Sequence, residues 1–167
     1  MSELNGKIVA VMGASSGMGR ATAFRFAEKG AKVLLGARSS EKLDELAQEI
    51  TSSAGEALYR AVDWAVKEAG QVNVLVYATG TNAPNRAVND VDVDTWNEII
   101  ETNLTGAFHC TQGVLPSMLE AKDGLIIYIS SVSAKRADGS GIAYQASKRG
   151  LDGLAFGMLG ELKASGI

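Results

Sequence analysis

Cysteine occurs once in the 167 residues, at Cys110, and histidine once, at His109. One thiol forms no internal disulfide and no cysteine cluster, and one imidazole holds no metal alone. The expected chemistry is therefore metal-free and suited to a reducing cytoplasm. Long apolar runs are missing too. The N-terminal Met1-Ser2-Glu3-Leu4-Asn5-Gly6-Lys7 has no apolar core of a signal peptide, and no stretch is apolar enough for long enough to span a bilayer. Neither sign of charge dominates: 16 basic against 19 acidic residues give a net −3 at pH 7, mixed along the chain. That balance argues against a nucleic-acid surface or a polybasic membrane contact, and leaves a small molecule as the expected partner. Low-complexity tracts and internal repeats are also absent. What remains is an ordinary globular composition, 46% hydrophobic and 21% charged. It is read as one soluble, cytoplasmic domain over residues 1–167.

The hydrophobic pattern alternates between short β-branched runs and helical stretches. Lys7 to Met12, Lys32 to Ala37, Val72 to Ala78 and Gly124 to Ser130 are apolar without alternation, as expected for strands buried on both faces of a parallel sheet. Between them, Arg20 to Lys29 reads as a helix closed by Gly30. Glu41 to Ile50 reads as another, capped by Ser39 or Ser40 and ended by Thr51-Ser52-Ser53-Ala54-Gly55. A long helix is expected from a cap at Asp94 to Leu119, with Pro116 as the place for a kink. Val132 to Ile142 reads as a loop, and Tyr144 to Ala164 as the last helix. Glu56 to Ala69 fits either one continuous helix or a short strand over Glu56 to Asp63 followed by a helix. The continuous helix has the cleaner periodicity and is the expectation taken. The pattern predicts an α/β fold, a doubly wound parallel sheet in three layers.

Three groups of residues carry chemistry. Gly13-Ala14-Ser15-Ser16-Gly17-Met18-Gly19 lies between a buried strand and a helix, where glycines allow close backbone approach and a helix N-terminus offers free N–H groups to a phosphate. At the end of the second strand, Gly36-Ala37-Arg38-Ser39 presents no carboxylate to a ribose. It presents instead a guanidinium suited to a 2′-phosphate, which favours NADP over NAD; an exposed arginine at a strand end is the other reading. Finally, Tyr144 and Lys148 stand one helical turn apart on one face. A tyrosine working as acid and base near neutrality needs its pKa lowered by roughly 2–3 units, or about 3–4 kcal/mol. A lysine about 4 Å away contributes up to roughly 4 kcal/mol at an effective dielectric near 20. Asn103, mid-helix among apolar neighbours, must find partners and reads as structural.

With these residues in order, the chain from Lys7 onward resembles the short-chain dehydrogenase/reductase family, whose fold is Rossmann-like. The resemblance rests on Gly13-x-x-x-Gly17-x-Gly19, Ala78-Thr79-Gly80, Asn103, Ser131 and Tyr144-x-x-x-Lys148. It implies that Tyr144 exchanges the proton on a carbonyl or alcohol oxygen, that Ser131 hydrogen-bonds that oxygen, and that Lys148 binds the nicotinamide ribose. It further implies that Asn103 holds the long helix open to a water-borne proton relay. Ser15, Ser16 and Met18 would line the cofactor, with Arg38 near a 2′-phosphate and Ala78 and Gly80 near the adenine ribose. The implied cofactor is NADP, with NAD the alternative, and the implied assembly a homodimer or homotetramer. Three departures stand out. The family's Asn-Asn-Ala-Gly is Tyr77-Ala78-Thr79-Gly80 here, the third crossover is short so that the aspartate expected beside the adenine is either missing or is Asp63 in a displaced setting, and the family's elements beyond Ile167 are missing from the sheet edge. A catalytically inactive nucleotide-binding relative is the alternative to an active oxidoreductase.

Overall fold

The computed structural model describes residues 4–53, 57–59 and 70–167. Its elements are β1 (Ile8–Met12), α1 (Gly17–Glu28), β2 (Lys32–Gly36), α2 (Ser40–Ser53), β3 (Ala57–Tyr59) and β4 (Val74–Tyr77). They continue as α3 (Val93–Ile100), a π-helical turn (Glu101–Thr105), α4 (Gly106–Ala121), β5 (Leu125–Tyr128), a 3₁₀ turn (Val132–Ala134) and α5 (Ile142–Leu162). The strands form one parallel sheet in the order β3-β2-β1-β4-β5. The winding reverses between β1 and β4, which makes the doubly wound, Rossmann-like arrangement expected from the pattern.

The absence of alternation in the strands has its cause in two cores. Val9, Val11, Val33, Leu35, Val74 and Val76 pack with Ala23 and Ala27 of α1 and Leu43, Leu46 and Ile50 of α2. The residues between them, Ala10, Met12, Leu34, Leu75 and Tyr77, pack with Ala107, Val114 and Met118 of α4 and Leu151 of α5. β1, β2 and β4 are thus apolar on both faces, while β5 is only half-buried with Leu125 exposed, and each fully buried Leu, Ile or Val contributes about 1.5–3 kcal/mol. α1 ends as its sequence suggests: Gly30 takes φ +82°, and the N–H groups of Gly30 and Ala31 return to the Ala27 and Phe26 carbonyls.

Four expectations need correction. Ala57–Tyr59 is a strand paired with Val33 to Leu35 of β2, so the continuous helix over Glu56 to Ala69 does not form; residues 60–69, with Asp63 and Trp64, lie outside the described residues. A free edge on β2 offers backbone pairing that local helical periodicity cannot match. Thr51 to Ser53 extend α2 rather than break it. The helix cap is Asp92, whose carboxylate accepts from the Thr95 N–H at 2.7 Å, while Asp94 lies in the first turn. Lastly, Pro116 sits inside α4, and the departure from α geometry comes earlier, in the π turn around Asn103.

Candidate active site

All five strands run parallel, so the chain leaves β1, β4 and β5 along the same edge of the sheet. After β1 the backbone turns at Gly13, φ +84°, with the N–H groups of Gly13 and Ala14 on the Gly36 carbonyl at 2.7 and 3.1 Å. A Cβ at Gly13 would stand 2.7 Å from the Thr79 nitrogen, and one at Gly19 would overlap the Gly13 carbonyl. The turn, the end of β4 and the first turn of α1 are therefore packed backbone to backbone. Ser16, Gly17 and Met18 are exposed at the start of α1, Ser15 is half-buried, and the Ser16 side chain makes no capping bond. Free N–H groups at that helix end and a glycine cradle fit a pyrophosphate.

A cleft of about 430 Å³ opens beside this turn, lined by Met18, Ala78, Gly80, Thr81, Asn82, Ile129, Ser130, Tyr144 and Lys148. It joins the glycine turn, the ends of β4 and β5, and the first turns of α5. Lys148 is 4% exposed and donates to the Ile129 carbonyl at 2.9 Å, with its ammonium 5.8 Å from the centre of the Tyr144 ring. Burial pushes the lysine below its ordinary 10.5, against the opposing charge of Asp152. The Lys148 Nζ passes 3.4 Å from where a Cβ of Gly80 would be.

Asn103 is fully buried and satisfied on both ends of its amide. Its Oδ1 accepts from the Thr81 N–H at 2.7 Å, and its Nδ2 donates to the Thr81 carbonyl at 2.9 Å and to the Ser147 hydroxyl at 3.0 Å. Ser147, also fully buried, donates to the Tyr144 carbonyl at 2.7 Å. One asparagine thus ties the end of β4 to the helix that carries Tyr144 and Lys148. Thr81 and Ser147 were not singled out from the sequence. Thr81 takes part through its backbone, which no side-chain pattern reveals, whereas Ser147 was signalled only by its place beside Lys148.

Ser131 lies one residue beyond the cleft lining contributed by β5. Its hydroxyl donates to Ser133 Oγ at 3.1 Å and accepts from the Ser133 N–H at 3.2 Å; Ser133 in turn donates to Asp138 at 2.6 Å. Hydrogen bonds from the Ser133 hydroxyl and from the Ser140 N–H bring the Asp138 carboxyl from 3.8 to about 2. Arg38 stands apart from the cleft, 79% exposed at its side chain, with Glu98 of α3 at 3.7 Å. Among the described residues no group of three or more His, Cys, Asp or Glu is placed to hold a metal, and no helix is long and apolar enough to cross a membrane.

A doubly wound sheet with a glycine turn and a Tyr-Lys cleft at its switch point defines a Rossmann-like α/β protein. Residues 7–167 match the family model described as short chain dehydrogenase, and the chain belongs to that family. It is 36% identical over 157 residues to an uncharacterized oxidoreductase of Listeria innocua, covering 87% of this chain and 63% of that protein. A metagenomic short-chain oxidoreductase solved in complex with NADP superposes with a TM-score of 0.92 at 33% identity, covering 97% of this chain and 79% of that one. Carveol dehydrogenase from Mycobacterium avium, solved in complex with NAD, superposes with a TM-score of 0.90 at 25% identity, covering 99% and 69%.

Proposed function

We propose that this chain is the cofactor-binding and acid–base part of an NADP-dependent oxidoreductase that interconverts a carbonyl compound and a secondary alcohol. The observation that carries this reading is the shared cleft: Met18 of the glycine turn, Ala78 and Gly80 of the β4 end, and the Tyr144–Lys148 pair all line one cavity. A bound nicotinamide dinucleotide supplies hydride chemistry there.

In this reading Gly13, Ser15, Ser16, Gly17, Met18 and Gly19 hold the pyrophosphate at the α1 N-terminus, and Ala78 and Gly80 flank the adenine ribose. Tyr144 gives or takes the proton at the substrate oxygen. Ser131 turns its hydroxyl from Ser133 to that same oxygen. Lys148, held by Ile129, offers its remaining donors to a ribose and to the phenol, and Asn103 keeps the lysine's helix in place against the β4 end. Arg38 exchanges its exposed contact with Glu98 for a 2′-phosphate. Exposed apolar side chains on α4 and α5, among them Phe108, Phe156 and Leu159, support pairing into a homodimer or homotetramer. The NADP-bound state of the metagenomic relative supports the cofactor assignment.

The test is Tyr144→Phe. Turnover of a carbonyl substrate with NADPH is expected to fall at least about 10²–10⁴-fold, the usual contribution of a positioned acid or base. NADPH affinity, read by nicotinamide fluorescence, should stay within about threefold. Surviving turnover removes the acid–base assignment.

A further inference from the structure

Tyr77 is buried to 3% exposure at the end of β4, where the resemblance leads one to expect an asparagine. Its hydroxyl donates to the Thr102 carbonyl at 2.5 Å. Burial is the main cause that raises its pKa to about 12, so the phenol stays a donor throughout the working pH range.

The identity of its acceptor is informative. In an α-helix the Thr102 carbonyl would accept the Gly106 N–H; here that N–H goes to Glu101, one residue further back, which is what makes the turn π-helical. The Thr102 carbonyl has lost its helical donor, and a buried carbonyl needs another. Tyr77 supplies it from the neighbouring strand. Gly106 makes the approach feasible, because a Cβ there would overlap the Tyr77 hydroxyl. The turn so held contains Asn103, whose amide pins Thr81 and Ser147.

We propose that Tyr77 is a positioning residue of the active site: its hydroxyl holds the π turn open through the Thr102 carbonyl, and thereby aims Asn103 at Thr81 and at the helix of Tyr144 and Lys148. Without that bond the turn returns toward α geometry, and a shift of one residue rotates a side chain by about 100° around the helix. Asn103 would then leave Thr81. The catalytic part of this inference rests on the oxidoreductase reading above; the structural part does not.

The test compares wild type with Tyr77→Phe, which keeps the ring, and Gly106→Ala, which keeps the hydroxyl but blocks its place. Native-state hydrogen exchange at the amide of Thr81 and at the amide of position 106 is expected to speed up tenfold or more in both variants, with the amides of β1 and β2 changed less than twofold. kcat with NADPH is expected to fall about tenfold while the NADPH dissociation constant stays within twofold. Unchanged exchange at Thr81, an equal rise at all amides, or an unchanged kcat would each overturn the proposal. If wild type turns over no carbonyl substrate, the oxidoreductase reading falls, and the exchange comparison alone decides for or against Tyr77.

Discussion

Lys148 is the residue at which the proposed function and stability pull in opposite directions. Its ammonium is buried behind Gly80, and burial lowers its pKa from 10.5 more than Asp152 raises it. A group that binds its proton less readily when folded lowers stability wherever it is charged, and the deficit disappears as pH rises past its unfolded value. The stability of wild type relative to Lys148→Met is therefore expected to improve from pH 7 toward pH 10.5, as measured by paired denaturant titrations. A difference that stays constant over that range would mean that the lysine is solvated. Arg38 is the opposite case, a cation on the surface whose contact with Glu98 is 3.7 Å long and open to water. Exposed pairs of this kind are worth about 0–1 kcal/mol, so Glu98 is a weak competitor for a phosphate. Arg38→Ala should cost NADPH about tenfold or more in affinity, the ~1.5–3 kcal/mol of a charged hydrogen bond, and leave NADH nearly unaffected. Equal losses in fluorescence titrations with the two cofactors would remove the NADP assignment.

At the scale of elements, the glycine turn is shaped by contact rather than by flexibility alone. Gly19 lies in the first turn of α1 directly against the Gly13 carbonyl, and it is fully buried in a helix that otherwise would favour alanine. By helix propensity Gly19→Ala should stabilise α1 by roughly 1 kcal/mol. The overlap with Gly13 reverses the sign, and a net loss of about 1–3 kcal/mol is expected in urea unfolding, together with loss of NADPH binding. A stabilised, binding-competent variant would show that the turn yields. This turn was legible from spacing, as were β1, β2, β4 and β5 from their unbroken apolar runs, because both features depend on nearest neighbours. The strand at Ala57–Tyr59 was legible only as the alternative to a continuous helix, since local periodicity does not report its pairing with β2, twenty-four residues earlier in the register Val33 to Ala57. The cap at Asp92 was missed for Asp94 because two aspartates two apart are equivalent by type, and only the chain's entry angle selects one. The π turn left no sign in the pattern either. Its causes, Tyr77 and Gly106, are brought together by the sheet packing on α4.

At the scale of the whole molecule, the candidate site exists only when the complete sheet does. Its lining runs from Met18 to Lys148 and draws on the turn after β1, the ends of β4 and β5, and the start of α5. No segment of the unfolded chain holds those groups together, so a dinucleotide that spans the glycine turn and the Lys148 end of the cleft binds the native state alone. The chain spans 63% of the length of its Listeria innocua relative, and the cleft is the one these residues build among themselves. Binding to the native state adds RT ln(1 + [L]/Kd), about 2.7 kcal/mol at a hundredfold excess over Kd. For a domain of this size that corresponds to a rise in Tm of about 5–10 °C, measured by scanning calorimetry with NADPH. Tyr144→Phe should keep the rise, because the role proposed for the phenol concerns the proton and not the pyrophosphate. Gly19→Ala should lose it. A folded wild-type chain whose Tm does not move with NADPH or NADH would have the glycine turn and the Tyr-Lys pair without the ligand that joins them, and the cofactor reading would be abandoned.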